Sequence, residues 1–123
     1  MAQAVAADRY ALVVEDDAGV RELAALLFEE CGLQVLETDT AEGALEHIDR
    51  HGAAIQFLFV DIRLAGTLDG VDLARTVSRL WPETKVIVTS GLPPLEPLPE
   101  DAIFMQKPWR ALDLIIETEK KAA

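Results

Sequence analysis

The sequence predicts an α/β fold in which five parallel strands alternate with helices. Three observations carry that expectation. Short apolar runs recur along the 123 residues, and each of the first three is followed by a stretch of helical period. Several of these runs stop abruptly at a polar residue, as buried strands do. Half of the residues are apolar and 27% are charged, a balance that suits one ordinary domain and excludes disorder.

The elements follow in order. Ala11–Glu15 reads as a buried strand. Val20, Leu23, Ala24, Leu27 and Cys31 then recur at helical spacing, and Gly32 closes that helix. Leu33–Glu37 is the second strand. Asp39 or Thr40 caps the next helix, with Glu42 placed to close a capping box on Asp39. Its core face is Ala41, Ala44, Leu45 and Ile48. Ile55–Val60 is the most apolar run, ends at Asp61, and leads into a polar loop from Arg63 to Thr67. Asp69 caps a third helix with Leu73, Ala74, Val77 and Leu80 inward, and Pro82 stops it. Val86–Thr89 and Ile103–Met105 are the last two strands. Pro108 suits the first turn of a final helix with Leu112, Ile115 and Ile116 on its core face.

One connection breaks the rhythm. Between Thr89 and Ala102 lie 12 residues, including Pro93, Pro94, Pro97 and Pro99. A helical crossover needs more chain, and the prolines forbid a continuous helix. An extended or single-turn connection is expected in place of a fourth helix. Leu92, Leu95 and Leu98 within it read either as an exposed docking strip or as a covered, irregular loop.

Eleven Lys+Arg against twenty-two Asp+Glu give a net charge of −11. So acidic a chain is a poor ligand for nucleic acid or anionic membrane. Cys31 reads as a buried helix residue, and a single cysteine excludes an internal disulfide or a Cys-rich zinc site. His47 and His51 read as surface residues. No basic start with an apolar run follows Met1, and no stretch approaches the ~20 residues of a membrane span. A cytoplasmic setting is expected.

In a parallel sheet, ligands bind at the C-terminal ends of the strands. Glu15 and Asp16 end strand one, Asp61 ends strand three, Thr89 and Ser90 end strand four, and Lys107 follows strand five. With strand one between two and three, the acids become neighbours. Converging carboxylates repel one another unless a cation lies between them, and an all-oxygen donor set suits a hard ion such as Mg²⁺. An aspartate beside such an ion can accept a phosphoryl group, with a lysine and a hydroxyl binding its oxygens.

The whole chain resembles a receiver domain of two-component signalling, of the single-domain response-regulator kind. The matching segments are Val13–Asp17 (VVEDD), Val60–Leu64 (VDIRL), Asp69–Gly70, Val86–Gly91 (VIVTSG) and Lys107–Trp109 (KPW), within a core of about residues 10–119 of a single domain. The resemblance implies a flavodoxin-like, five-stranded, doubly wound sheet of order 2-1-3-4-5. It implies phosphorylation of Asp61 by a histidine kinase or histidine phosphotransfer protein. Mg²⁺ would be held by Asp16, Asp61 and the backbone carbonyl of Arg63, and by Glu15 through water. Thr89 would be the switch hydroxyl, Phe104 the switch aromatic and Lys107 the phosphoryl contact. It also implies a cis Lys107–Pro108 bond.

The chain departs from the family where Ala65 replaces the usual proline, where the loop before Asp69 is one residue longer, and in the Pro-rich segment. A phosphoacceptor that signals by protein contact or onward phosphotransfer, and is no enzyme beyond its own phosphorylation and dephosphorylation, is the leading expectation. An Asp-nucleophile phosphatase and a phosphorylation-independent binding module are the alternatives. For the phosphatase, Arg63 stands where a second acid is usual.

Overall fold

The apolar runs become strands β1 (Tyr10–Val14), β2 (Gln34–Thr38), β3 (Ile55–Asp61), β4 (Lys85–Ser90) and β5 (Ile103–Gln106). The helices are α1 (Ala18–Glu30), α2 (Ala41–His51), α3 (Gly70–Leu80) and α4 (Ala111–Ala122), with a 3₁₀ turn at Gly52–Ala54. This computed structural model describes residues 9–64 and 69–122. Ala65 and most of the loop before Asp69 lie outside the described residues.

All strand pairs are parallel, in the order β2-β1-β3-β4-β5. Alternate strand residues divide between two apolar layers. Leu12, Val14, Leu58, Val60, Val86 and Val88 pack against Ala41, Ala44 and Ile48 of α2 and Leu73, Ala74 and Val77 of α3. Ala11, Val13, Phe57, Phe59, Ile87 and Met105 pack on the opposite face against Ala24 and Phe28 of α1 and Leu114 of α4. Phe28 meets Phe57 and Phe59 at ring-centroid distances of 5.4 and 6.3 Å. Each such fully buried ring contributes about 1.5–3 kcal/mol of apolar transfer.

Side chains cap the first three helices, at Asp69 and at one of the two α2 candidates as expected, and at Asp17, which the sequence pattern does not single out as a cap. Asp17 accepts from the Val20 amide and Asp69 from the Asp72 amide. Of the two candidates for α2, Asp39 and Thr40, the cap is Thr40, which accepts from the Gly43 amide. Gly32 follows the C-cap of α1 at φ 88°, a backbone conformation that glycine adopts without strain.

Several inward positions differ from expectation. On α1 the residues against the sheet are Ala24, Ala25 and Phe28, whereas Leu23 is exposed and Cys31 is half-buried at the C-cap. Phe28 takes the place against the Phe57 and Phe59 rings, and in that rotation of α1 Leu23 faces outward. Leu45 and Leu80 are also exposed. Trp81, just past α3, packs against the layer at that end of the helix instead of Leu80. The last helix starts at Ala111, not at Pro108, with the Arg110 amide donating to Asp113. Leu114 and Thr118 face inward, and Leu112 and Ile116 are exposed. His47 and His51 are half-buried, the His51 ring lying 4.4 Å from that of Tyr10.

The connection 91–102 carries no helix, as its prolines require. It is anchored where Arg75 donates to the Pro97 carbonyl at 2.8 Å and where the Ala102 amide donates to the Pro99 carbonyl. Leu98 and Ala102 pack with Phe104 against the α2/α3 layer. Leu92 and Leu95 stay exposed, so the three leucines do not form one strip.

Candidate functional site

Parallel pairing brings the predicted residues to one edge of the sheet. β1 lies between β2 and β3, so Glu15, just past β1, sits beside Asp61, the last residue of β3. Asp61 and Thr89 are register partners across β3 and β4. Lys107 is fixed beside them because its amide donates to the Ser90 carbonyl at 2.8 Å. The Lys107–Pro108 bond is cis, and Trp109 beyond it stacks edge-to-face on Phe59 at 5.4 Å.

Glu15 and Asp61 are buried and Asp16 is exposed. One oxygen from each of the three lies within 4.8 Å of the others, an arrangement able to hold a metal ion. Lys107 Nζ donates to Asp61 Oδ2 at 2.8 Å and to Glu15 Oε2 at 3.2 Å. The other Asp61 oxygen accepts from the Arg63 amide at 2.9 Å. Burial pushes the Glu15 carboxyl up to about 7, against the opposing pull of the Asp17 amide and Lys107 and with a further push from Asp61. Burial acts to lower the Lys107 ammonium, but hydrogen bonds to Asp61 and Glu15 outweigh it and the net shift is upward.

Among the described residues, two buried side-chain oxygens lack a hydrogen bond. Glu15 Oε1 is 3.0 Å from the Lys107 ammonium, yet accepts no hydrogen bond. Thr89 Oγ1 has no partner either. Buried polar groups are seldom left so, and here both belong to residues gathered around Asp61. Three acids around one ammonium leave excess negative charge. The donor set and the orphaned oxygen therefore fit a hard divalent cation.

Phe104 is not part of this cluster. It is half-buried, pairs in register with Val88, and packs among Leu98, Ala102 and the α2/α3 layer. Arg63 is exposed and reaches the site through its backbone.

Two further residues shape the site. Arg21, one turn into α1, donates to the Glu15 carbonyl at 2.8 Å and faces Glu37 at 3.6 Å. No spacing rule pairs a helix arginine with a preceding strand end. Gly70 matters for what it lacks. A Cβ there would clash with the Asp61 carbonyl oxygen and come within 2.7 Å of Ile62 Cα. Glycine lets the start of α3 close onto β3, where the Gly70 amide donates to the Ile62 carbonyl at 3.0 Å. The Asp69–Gly70 pair in the sequence was its signal.

A doubly wound sheet of this order, with acids past β1 and at the end of β3, a hydroxyl on β4 and a lysine past β5, defines a class of signalling domain. The chain matches the response regulator receiver domain family over residues 11–96 and belongs to it. It is 30% identical over 114 residues to the response regulator receiver protein CpdR of Brucella abortus, covering 89% of this chain and 92% of that protein. It is 31% identical over 115 residues to the nitrogen assimilation regulatory protein NtrX of Azorhizobium caulinodans, again over 89% of this chain but only 25% of NtrX. Among solved structures, a response regulator receiver protein from Sinorhizobium medicae superposes with a TM-score of 0.83 at 25% identity, covering 92% of this chain and 93% of that one. The receiver domain of NtrX from Brucella abortus gives 0.75 at 30% identity, over 90% of this chain and 96% of that one. No described helix is long and apolar enough to cross a membrane.

Proposed function

We propose that this receiver accepts a phosphoryl group on Asp61 from a partner's phosphohistidine, in the cytoplasm, and signals by protein contact or onward transfer. The observation that carries the reading is the meeting of Glu15, Asp16 and Asp61 around a lysine bonded to Asp61 at 2.8 Å. In the transfer, an Asp61 carboxylate oxygen bonds to phosphorus as the phosphorus–nitrogen bond breaks. The electron pair leaves with the imidazole nitrogen, which takes up a proton, and Asp61 becomes an acyl phosphate. Hydrolysis returns the carboxylate and releases inorganic phosphate.

Glu15, Asp16 and Asp61, with the Arg63 carbonyl, would hold Mg²⁺, Glu15 doing so through a water. When bound, Mg²⁺ neutralises charge on the phosphoryl oxygens. Lys107, now bonded to Asp61 Oδ2, passes to a phosphoryl oxygen as that carboxylate oxygen is consumed. The unpartnered Thr89 hydroxyl donates to another. Phe104 follows the neighbouring backbone, since its register partner Val88 precedes Thr89. A unit of residues 10–119 acting on its own is supported by the share of CpdR, 92%, that the chain covers.

The test is intact mass after incubation with a small acyl phosphate, with and without Mg²⁺, on wild type and Asp61→Asn. A gain of one phosphoryl group that needs both Mg²⁺ and Asp61 is expected. A folded protein that binds its kinase but gains nothing, even from the phosphorylated kinase, would instead be a binding module of receiver fold.

A further inference from the structure

The three clustered carboxylates are held in place by different means. Asp61 accepts from Lys107 and from the Arg63 amide. Glu15 accepts from Lys107 and, at 3.1 Å, from the Asp17 amide. Asp16 is exposed, and its carboxylate makes no hydrogen bond or ion pair among the described residues. Yet one of its oxygens lies within 4.8 Å of an oxygen of each of the other two. The backbone on either side must therefore place it.

That backbone is tethered on both sides. Before Asp16, the Glu15 amide donates to the Thr38 carbonyl of β2 at 3.1 Å, and Arg21 Nη1 donates to the Glu15 carbonyl at 2.8 Å. This carbonyl belongs to the planar peptide that joins Glu15 to Asp16, so the bond from Arg21 fixes the rotation of that plane. After Asp16, Asp17 is fixed as the cap of α1. The Arg21 side chain is 23% exposed, and its Nε faces Glu37 Oε1 of β2 at 3.6 Å. A guanidinium can meet both acceptors at once because its donors form a rigid fork.

We propose that Arg21 is a positioning residue of the metal site: its grip on the Glu15–Asp16 peptide holds the Asp16 carboxylate beside Glu15 and Asp61 and so sets the affinity for a hard divalent cation. The inference rests on the reading of these three acids as a Mg²⁺ site. The sign of the effect separates positioning from charge. Arg21 is itself a cation near the site, so removing its charge alone would tighten the binding of a second cation. Removing a side chain that orients a metal ligand loosens binding, typically by about 10–100-fold.

The experiment is isothermal titration calorimetry of Mg²⁺ into the full chain, for wild type, Arg21→Ala and Arg21→Lys, with thermal melts to check folding. Arg21→Ala is expected to weaken Mg²⁺ binding at least about tenfold. Arg21→Lys keeps the charge and one donor for the same carbonyl, and should recover part of that loss. Phosphoryl uptake from a small acyl phosphate gives the second readout. In Arg21→Ala the Mg²⁺ concentration for half-maximal rate should rise about as much as the dissociation constant, and the maximal rate should fall by much less. If Arg21→Ala does not fold, Arg21→Gln takes its place under the same expectation. Unaltered or tighter Mg²⁺ binding by a folded variant overturns the proposal. So does a loss of maximal rate with no shift in Mg²⁺ dependence. Wild type that binds no Mg²⁺ would sink the metal reading of the three acids and this inference with it, a result distinct from the failure of Arg21 alone.

Discussion

Lys107 and Asp61, 46 positions apart in sequence, meet in a 2.8 Å hydrogen-bonded ion pair at the C-terminal edge of the sheet. The same ammonium reaches Glu15, so one cation serves two buried carboxyls. Replacing Lys107 with Met keeps much of the side chain's length and removes the charge. Phosphoryl uptake from a small acyl phosphate is expected to slow by about 10²-fold or more, the usual cost of losing one charged donor aimed at a reacting oxygen. Time-resolved intact mass measures it. An unchanged rate would remove Lys107 from the chemistry.

Gly70→Ala tests the closeness of α3 to β3. The added methyl would press on the Asp61 carbonyl, at the end of the central strand β3, and on Ile62 Cα just past it, both backbone atoms that cannot swing aside as a side chain can. A loss of about 1–3 kcal/mol is expected in urea unfolding, the usual cost of overpacking. Phosphoryl uptake should fall as well, because the shift lands on Asp61 itself. Full stability and full uptake together would mean that the start of α3 yields freely.

Leu98 and Leu95 lie three residues apart in one loop yet have different surroundings. Leu98 packs on the α2/α3 layer, whereas Leu95 is fully exposed. Leu98→Ser is expected to cost about 1–3 kcal/mol by burying a hydroxyl in place of methyl groups. Leu95→Ser should change stability by less than about 0.5 kcal/mol. Parallel thermal melts separate the two, and equal effects would show that the connection is not seated as described.

The Lys85–Glu117 pair ties β4 to α4 at 2.8 Å with both side chains largely buried. Its hydrogen bond from Lys85 holds the Glu117 carboxyl below its ordinary value of 4.5. A carboxyl depressed on folding contributes stability that is full above its unfolded pKa and is lost as pH falls through the folded value. Glu117→Gln should therefore cost about 1 kcal/mol at neutral pH and flatten the decline in stability below pH 4.5. The cost stays small because Lys85 keeps its bond to the Glu117 backbone carbonyl at 3.1 Å. Urea unfolding across pH reads it; parallel wild-type and variant profiles would mean that the pair contributes nothing.

The alternation of strands and helices, the parallel sheet and the loss of one crossover helix were all legible in the residue order. Periodicity, chain length and the prolines at 93, 94, 97 and 99 are local properties, and the backbone obeys them locally. So was the gathering of Glu15, Asp16, Asp61, Thr89 and Lys107, because strand ends in a parallel sheet share one edge wherever they fall in sequence. The particular leucines that reach the core were not legible. Leu23, Leu45, Leu80, Leu112 and Ile116 are apolar and at helical spacing, but the rotation of each helix on the sheet depends on what already fills the space, such as Phe57 and Phe59. The clamp of Arg21 on Glu15, the closeness that Gly70 allows and the tie of Lys85 to Glu117 join residues from different elements. Such relationships exist only once packing has set the distances, so no pattern along the chain encodes them.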